Sequence, residues 1–66
     1  MMKRAELIMC RGTQSQTKIA NILGITQDHL SKIELGLRNP SISLAAKFCR
    51  LYKEPAEKLF PDIFLF

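Results

Sequence analysis

The sequence predicts an all-α domain of five short helices followed by a short apolar tail. Three observations predict it. The strong breakers, Gly12, Gly24, Gly36, Pro40, Pro55 and Pro61, cut the 66 residues into pieces of helical length. No piece alternates apolar and polar residues with period two beyond a few positions, so strands are unsupported. Apolar residues instead recur at helical spacing, most clearly Leu44, Ala45, Phe48, Leu51 and Tyr52.

The first helix is expected from about Lys3 to Arg11. Ser15 then serves as N-cap for a second helix, Gln16 to Leu23, because its hydroxyl can accept a free N–H of the first turn. Ile19, Ala20 and Leu23 form one apolar face of that helix, and Gly24 ends it. Ile25 is the apolar residue of a tight turn, and Thr26 caps a third helix from Gln27 to about Leu35. Gly36 stops it. Leu37 to Pro40 is a loop, and Ser41 caps helix four. Pro55 suits the first turn of a short fifth helix ending at Leu59 or Phe60. Pro61 is expected to stop that helix, leaving residues 61–66 as the tail.

Composition narrows the class. The length allows one domain, residues 1–66. A chain this small buries only roughly 60% of its unfolded surface, so its core is marginal. The hydrophobic share, 47%, is too high for a disordered chain. The net charge of +4 suits an acidic partner. The apolar run Leu7–Cys10 is shorter than the roughly 7–15 residues of an export signal. No stretch approaches the ~18 apolar residues of a membrane span. The expectation is a cytoplasmic protein with Cys10 and Cys49 reduced and acting as small core residues. No C-x-x-C or H-x3-H spacing supports a metal, and none is expected with His29.

Two helices joined across Gly24-Ile25-Thr26 make a helix-turn-helix, spanning about residues 15–35. Spacing alone also fits a small helical bundle with no role on DNA. The pattern Gln16-x3-Ala20-x3-Gly24-Ile25-x5-Ser31-x2-Glu34-x-Gly36-x-Arg38-x-Pro40 is more specific. It resembles the Cro/repressor-type (XRE-like, lambda-repressor-like) helix-turn-helix family of DNA-binding proteins, and the helix pattern extends the likeness to about Phe60. Each position has a physical reason. Ala20 is small where two helices cross, Gly24 permits positive φ, and Ile25 plugs the corner. Two positions depart from the family. An Arg late in helix one usually pairs with the Glu matching Glu34, but Met9 stands there, with Arg11 and Arg38 as the substitutes at hand. Gln14 replaces the apolar residue usual before helix two.

On a wheel of about 100° per residue, Leu30, Ile33 and Glu34 share the core arc of helix three. Gln27, Asp28, Ser31, Lys32 and Leu35 face away. This outer strip is either a solvated face or, as the resemblance implies, the surface entering a major groove. Its chemistry suits bases. Gln27 can pair with adenine N6 and N7, Lys32 with guanine O6 and N7, and Asp28 with cytosine N4. Asp28 can instead hold Lys32 at i+4. Ser31 is short enough to let the helix approach. The base-reading candidates are therefore Gln27, Asp28, Ser31 and Lys32.

The resemblance further implies that Gln16 grips a phosphate or a base edge at the start of helix two, where free N–H groups attract anions. It places Arg38 and Asn39 against the DNA backbone after helix three. Lys18 and Thr26 complete the expected phosphate contacts. Arg38 has the alternative of pairing with Glu34 at i+4.

One such domain covers half an operator, and the family usually binds a palindrome as a dimer, with half-sites about 34 Å apart. The expected homodimer contacts are Leu59, Phe60, Ile63, Phe64, Leu65 and Phe66. The alternative is that this tail folds back on its own core. No paired carboxylates, phosphate-cradling loop or nucleophile with an assignable base is present, so no enzyme, cofactor or small-molecule ligand is expected. The resulting expectation is a regulator of transcription that represses by occupying double-stranded operator DNA. A protein-interaction module on the same fold, an antitoxin or antirepressor using the apolar tail, is the rival.

Overall fold

The computed structural model describes residues 4–64, and every regular element in them is a helix. In chain order these are α1 (Ala5–Arg11), α2 (Gln16–Leu23), α3 (Gln27–Glu34), α4 (Ile42–Tyr52), α5 (Ala56–Leu59) and α6 (Pro61–Phe64).

Local chemistry sets the starts of the three longest helices. Ser15 accepts from the Lys18 N–H, Thr26 from the His29 N–H and Ser41 from the Leu44 N–H. Each cap satisfies one otherwise unpaired donor, and replacement by Ala costs about 1 kcal/mol. Pro55 is the residue just before α5 rather than within its first turn.

The all-helical class is as expected, with one helix added. Pro61 opens α6 instead of ending the chain's regular structure. Proline fits the first position of a helix, where its missing N–H has no partner to lose. The Ile63 and Phe64 N–H groups donate back to the Phe60 carbonyl and close this turn.

The core takes one face from each of α1 to α5. Leu7, Ile19, Leu30, Ile33, Phe48, Leu59 and Phe60 are essentially inaccessible, with Ala20, Leu23, Leu44 and Ala45 beside them. Burying each large side chain contributes about 1.5–3 kcal/mol. Phe60 meets Phe48 edge-on at 5.4 Å between ring centres and Phe64 at 6.2 Å. Such aromatic pairs add about 0.5–1.5 kcal/mol beyond burial.

This packing corrects the expectation for two tail residues. Leu59 and Phe60 were expected at a dimer interface, yet both are 0% exposed within their own chain. The marginal core needs their volume, and neither has side-chain surface left for a partner. Ile63 and Phe64 are half-buried against the same core. Leu65 and Phe66 lie outside the described residues. Cys10 and Cys49 are free and half-buried, packed at the margin of the core.

Candidate nucleic-acid interface

The corner between α2 and α3 is built by Gly24. Its backbone sits at φ 78°, ψ 29°, a left-handed conformation that a side chain would strain. The Ile25 N–H then donates to the Ala20 carbonyl at 3.0 Å, closing the helix end in a Schellman-type bond. Ile25 folds under the corner, half-buried against the core. Ala20, 1% exposed, belongs to the closed core, where a larger side chain would overpack its neighbours.

α3 buries Leu30, Ile33 and Glu34, the arc the wheel assigns to the core. Gln27, Asp28 and Lys32 are exposed and Ser31 is half-buried, so all four base-reading candidates reach one accessible strip. Lys32 Nζ lies 3.1 Å from Asp28 Oδ2 across one helical turn. Both groups are well exposed, so the pair is worth only about 0.3–0.5 kcal/mol and gives way readily to another partner.

A polar chain runs from the core to this strip. Glu34 carries a buried carboxylate, 2% exposed. Arg11 meets it with two donors, Nε to Oε2 at 2.8 Å and Nη2 to Oε1 at 3.2 Å. Gln16 Nε2 also donates to Oε1 at 2.8 Å. Gln27 Nε2 in turn donates to Gln16 Oε1. The direction of the chain is forced. A carboxylate only accepts, so Gln16 turns its amide nitrogen inward and its oxygen outward, and Gln27 must answer with a donor. Hydrogen bonding to Glu34 raises the Arg11 pKa above its ordinary value, with burial opposing it.

Arg11 therefore supplies the cation that the family pattern places at Met9. It reaches Glu34 from the last turn of α1, while Met9 is 71% exposed. Arg38 does not pair with Glu34. Its side chain is exposed at the surface, as are Lys18, Thr26 and Asn39. Thr26 spends its acceptor on the α3 cap and keeps its hydroxyl proton to donate.

Arg4 belongs to this region as well, although its place in the sequence gives it no pattern partner. Its side chain is 2% exposed, and all five of its N–H donors have acceptors. Nη1 donates to the Ile33 and Arg38 carbonyls at 2.8 and 2.7 Å. Nη2 donates to Asn39 Oδ1 at 2.7 Å and to Asp62 Oδ2 at 2.8 Å, and Nε to Asp62 Oδ1 at 3.2 Å. The cation stands at the negative end of α3, over the Phe60 ring at 5.4 Å. The hydrogen bond from Arg4 holds the Asp62 pKa below its ordinary value, against the opposing effect of burial. Only an Arg near a predicted helix start marked this residue in the sequence.

One further feature lies away from the strip. Glu6, Cys10 and Glu54 bring potential metal-ligand atoms within 4.8 Å of one another. Lys58 stands against them, 3.1 Å from Glu54 and 3.9 Å from Glu6, as their counter-ion. Among the described residues no helix is long and apolar enough to cross a membrane.

No curated protein matches the chain significantly. A family model described as helix-turn-helix matches residues 14–59, more than half of the chain, which therefore belongs to this helix-turn-helix family, of the XRE and lambda-repressor-like type. This is a family of DNA-binding regulators of transcription.

Proposed function

We propose that this helix-turn-helix family member is a sequence-specific repressor that lays α3 in the major groove of a palindromic operator. The observation that carries this reading is the orientation of Gln27. One of its amide protons is committed to Gln16. The second proton and the Oε1 acceptor remain, the donor-acceptor pair that fits adenine N7 and N6. A glutamine held in this way loses less rotational freedom on binding than a free one.

Lys32 would exchange Asp28 for guanine O6 and N7, and Asp28 would stay beside it or accept from cytosine N4. Gln16, Lys18, Thr26, Arg38 and Asn39 flank the strip as phosphate contacts, which position the protein without reading sequence. Repression would follow from occupying DNA that polymerase needs, in the cytoplasm.

The homodimer in this reading is supported by an apolar face on α4 and α6. Ile42 is 84% exposed at its edge, and Ala46, Cys49 and Phe64 line the groove beside it. Sedimentation velocity tests this face. The wild type should sediment as a dimer and Ile42→Glu as a folded monomer; a dimer unaffected by Ile42→Glu would move the interface elsewhere.

Binding selection on random duplexes at two salt concentrations tests the function. An enriched palindrome, with affinity falling steeply as salt rises, is the expected result. Retention of all sequences alike would remove the sequence-specific reading.

A further inference from the structure

We propose that Arg4 is a positioning residue for the DNA-facing loop Leu37–Pro40, and that Asp62 of α6 acts on that loop through it. This rests on the proposed function, because the loop is taken to contact phosphate.

Three of the five Arg4 donors go to the end of α3 and to the loop, and two to Asp62. The division matters chemically. Asp62 balances the charge of a guanidinium taken out of water, which would otherwise be costly to bury. Of the other three bonds, one ties Arg4 to the Ile33 carbonyl at the end of α3, and two fix what the loop shows to solvent. Arg38 directs its carbonyl inward to Arg4, so this partly negative oxygen is withdrawn from the face that would meet phosphate. Asn39 has its side-chain oxygen engaged by Arg4, which leaves its amide N–H groups as the free end. The loop thus offers donors from Asn39 and a cation from Arg38, with its nearest acceptors spoken for. Lysine cannot reproduce this arrangement, since a single ammonium lacks the planar fork that reaches three acceptors on one side and a carboxylate on the other.

A double-mutant cycle on the whole chain tests the role. Asp62→Asn and Arg4→Lys are each combined with Asn39→Ala, and affinity is measured on the duplex enriched by selection. Far-ultraviolet circular dichroism confirms folding, and Asp62→Asn is the milder variant because it keeps one acceptor and leaves the Arg4 side chain in place. Asp62→Asn should weaken binding roughly threefold to tenfold on all sequences alike, and by clearly less once Asn39 is Ala, the remainder being the share carried by the Arg38 carbonyl. Amide hydrogen exchange in the free protein should quicken at Leu37, Arg38 and Asn39 while the α2–α3 amides keep their rates. An equal loss in both backgrounds would make Arg4 and Asp62 merely structural and overturn the proposal. So would a loss on Asn39→Ala with none on Asp62→Asn or Arg4→Lys, although the functional reading would then stand. A wild-type chain that binds no duplex would overturn both.

Discussion

Arg11 closes on Glu34 through two donors across 23 positions of sequence, and the carboxylate it meets is 2% exposed. The pair sits at the inner end of the polar chain that reaches Gln27. It therefore links the packing of α1 to the surface offered by α3. Burying a charge is tolerated here because Glu34 has three donors on its two oxygens.

Removing one partner should cost more than removing both. Arg11→Met strands a buried carboxylate and is expected to destabilise the domain by about 3 kcal/mol. Arg11→Met combined with Glu34→Leu should recover part of that loss. Urea denaturation of the two variants checks it, and a double variant much less stable than Arg11→Met would refute it.

Acid should weaken the fold partly through Asp62. Its folded pKa is lowered by Arg4, so the stability it contributes is fully present above the unfolded value, about 3.9. That contribution is lost as pH falls below this value and through the lowered folded pKa. Melting temperature followed from pH 6 to pH 2 should fall less for Asp62→Asn than for the wild type over that acid range. Parallel curves would show that Asp62 contributes nothing to acid sensitivity.

Much of this fold is legible in local chemistry. Ser15, Thr26 and Ser41 announce their helices because a capping hydroxyl acts within three residues. The buried faces of α2 and α3 follow from helical period alone. What is not legible depends on distant chain. Arg4 looks like a solvated charge until α3, its loop and α6 converge on it, with Asp62 58 positions away. Leu59 and Phe60 look like surplus apolar surface until the small core is seen to require them. The site divides in the same way. The outward strip can be read from the wheel, whereas the order Arg11, Glu34, Gln16, Gln27 cannot, because Gln16 and Gln27 sit on different helices.

Lys53 closes α4 in the left-handed region, at φ 57°, and carries a side chain there. Lys53→Gly should relieve that strain and stabilise the domain by about 0.5–1 kcal/mol. A lowered urea midpoint would contradict this account of the α4 terminus.

Gln16 and Gln27 should act as a unit on DNA. Gln16→Ala frees Gln27 to rotate and also removes a phosphate contact, so it should weaken binding on every duplex and relax preference at the base pair that Gln27→Ala affects, and the double variant should lose little more than Gln16→Ala alone. Additive losses at different positions would separate the two side chains.

The outward strip of α3 as the base-reading surface is tested most directly by Lys32→Ala, measured by fluorescence anisotropy on the selected duplex and on a panel carrying each single base-pair change. The predicted result is a loss of about 1–3 kcal/mol on the best site with preference relaxed at one base pair. Equal weakening on every duplex would contradict it and reduce Lys32 to a phosphate contact.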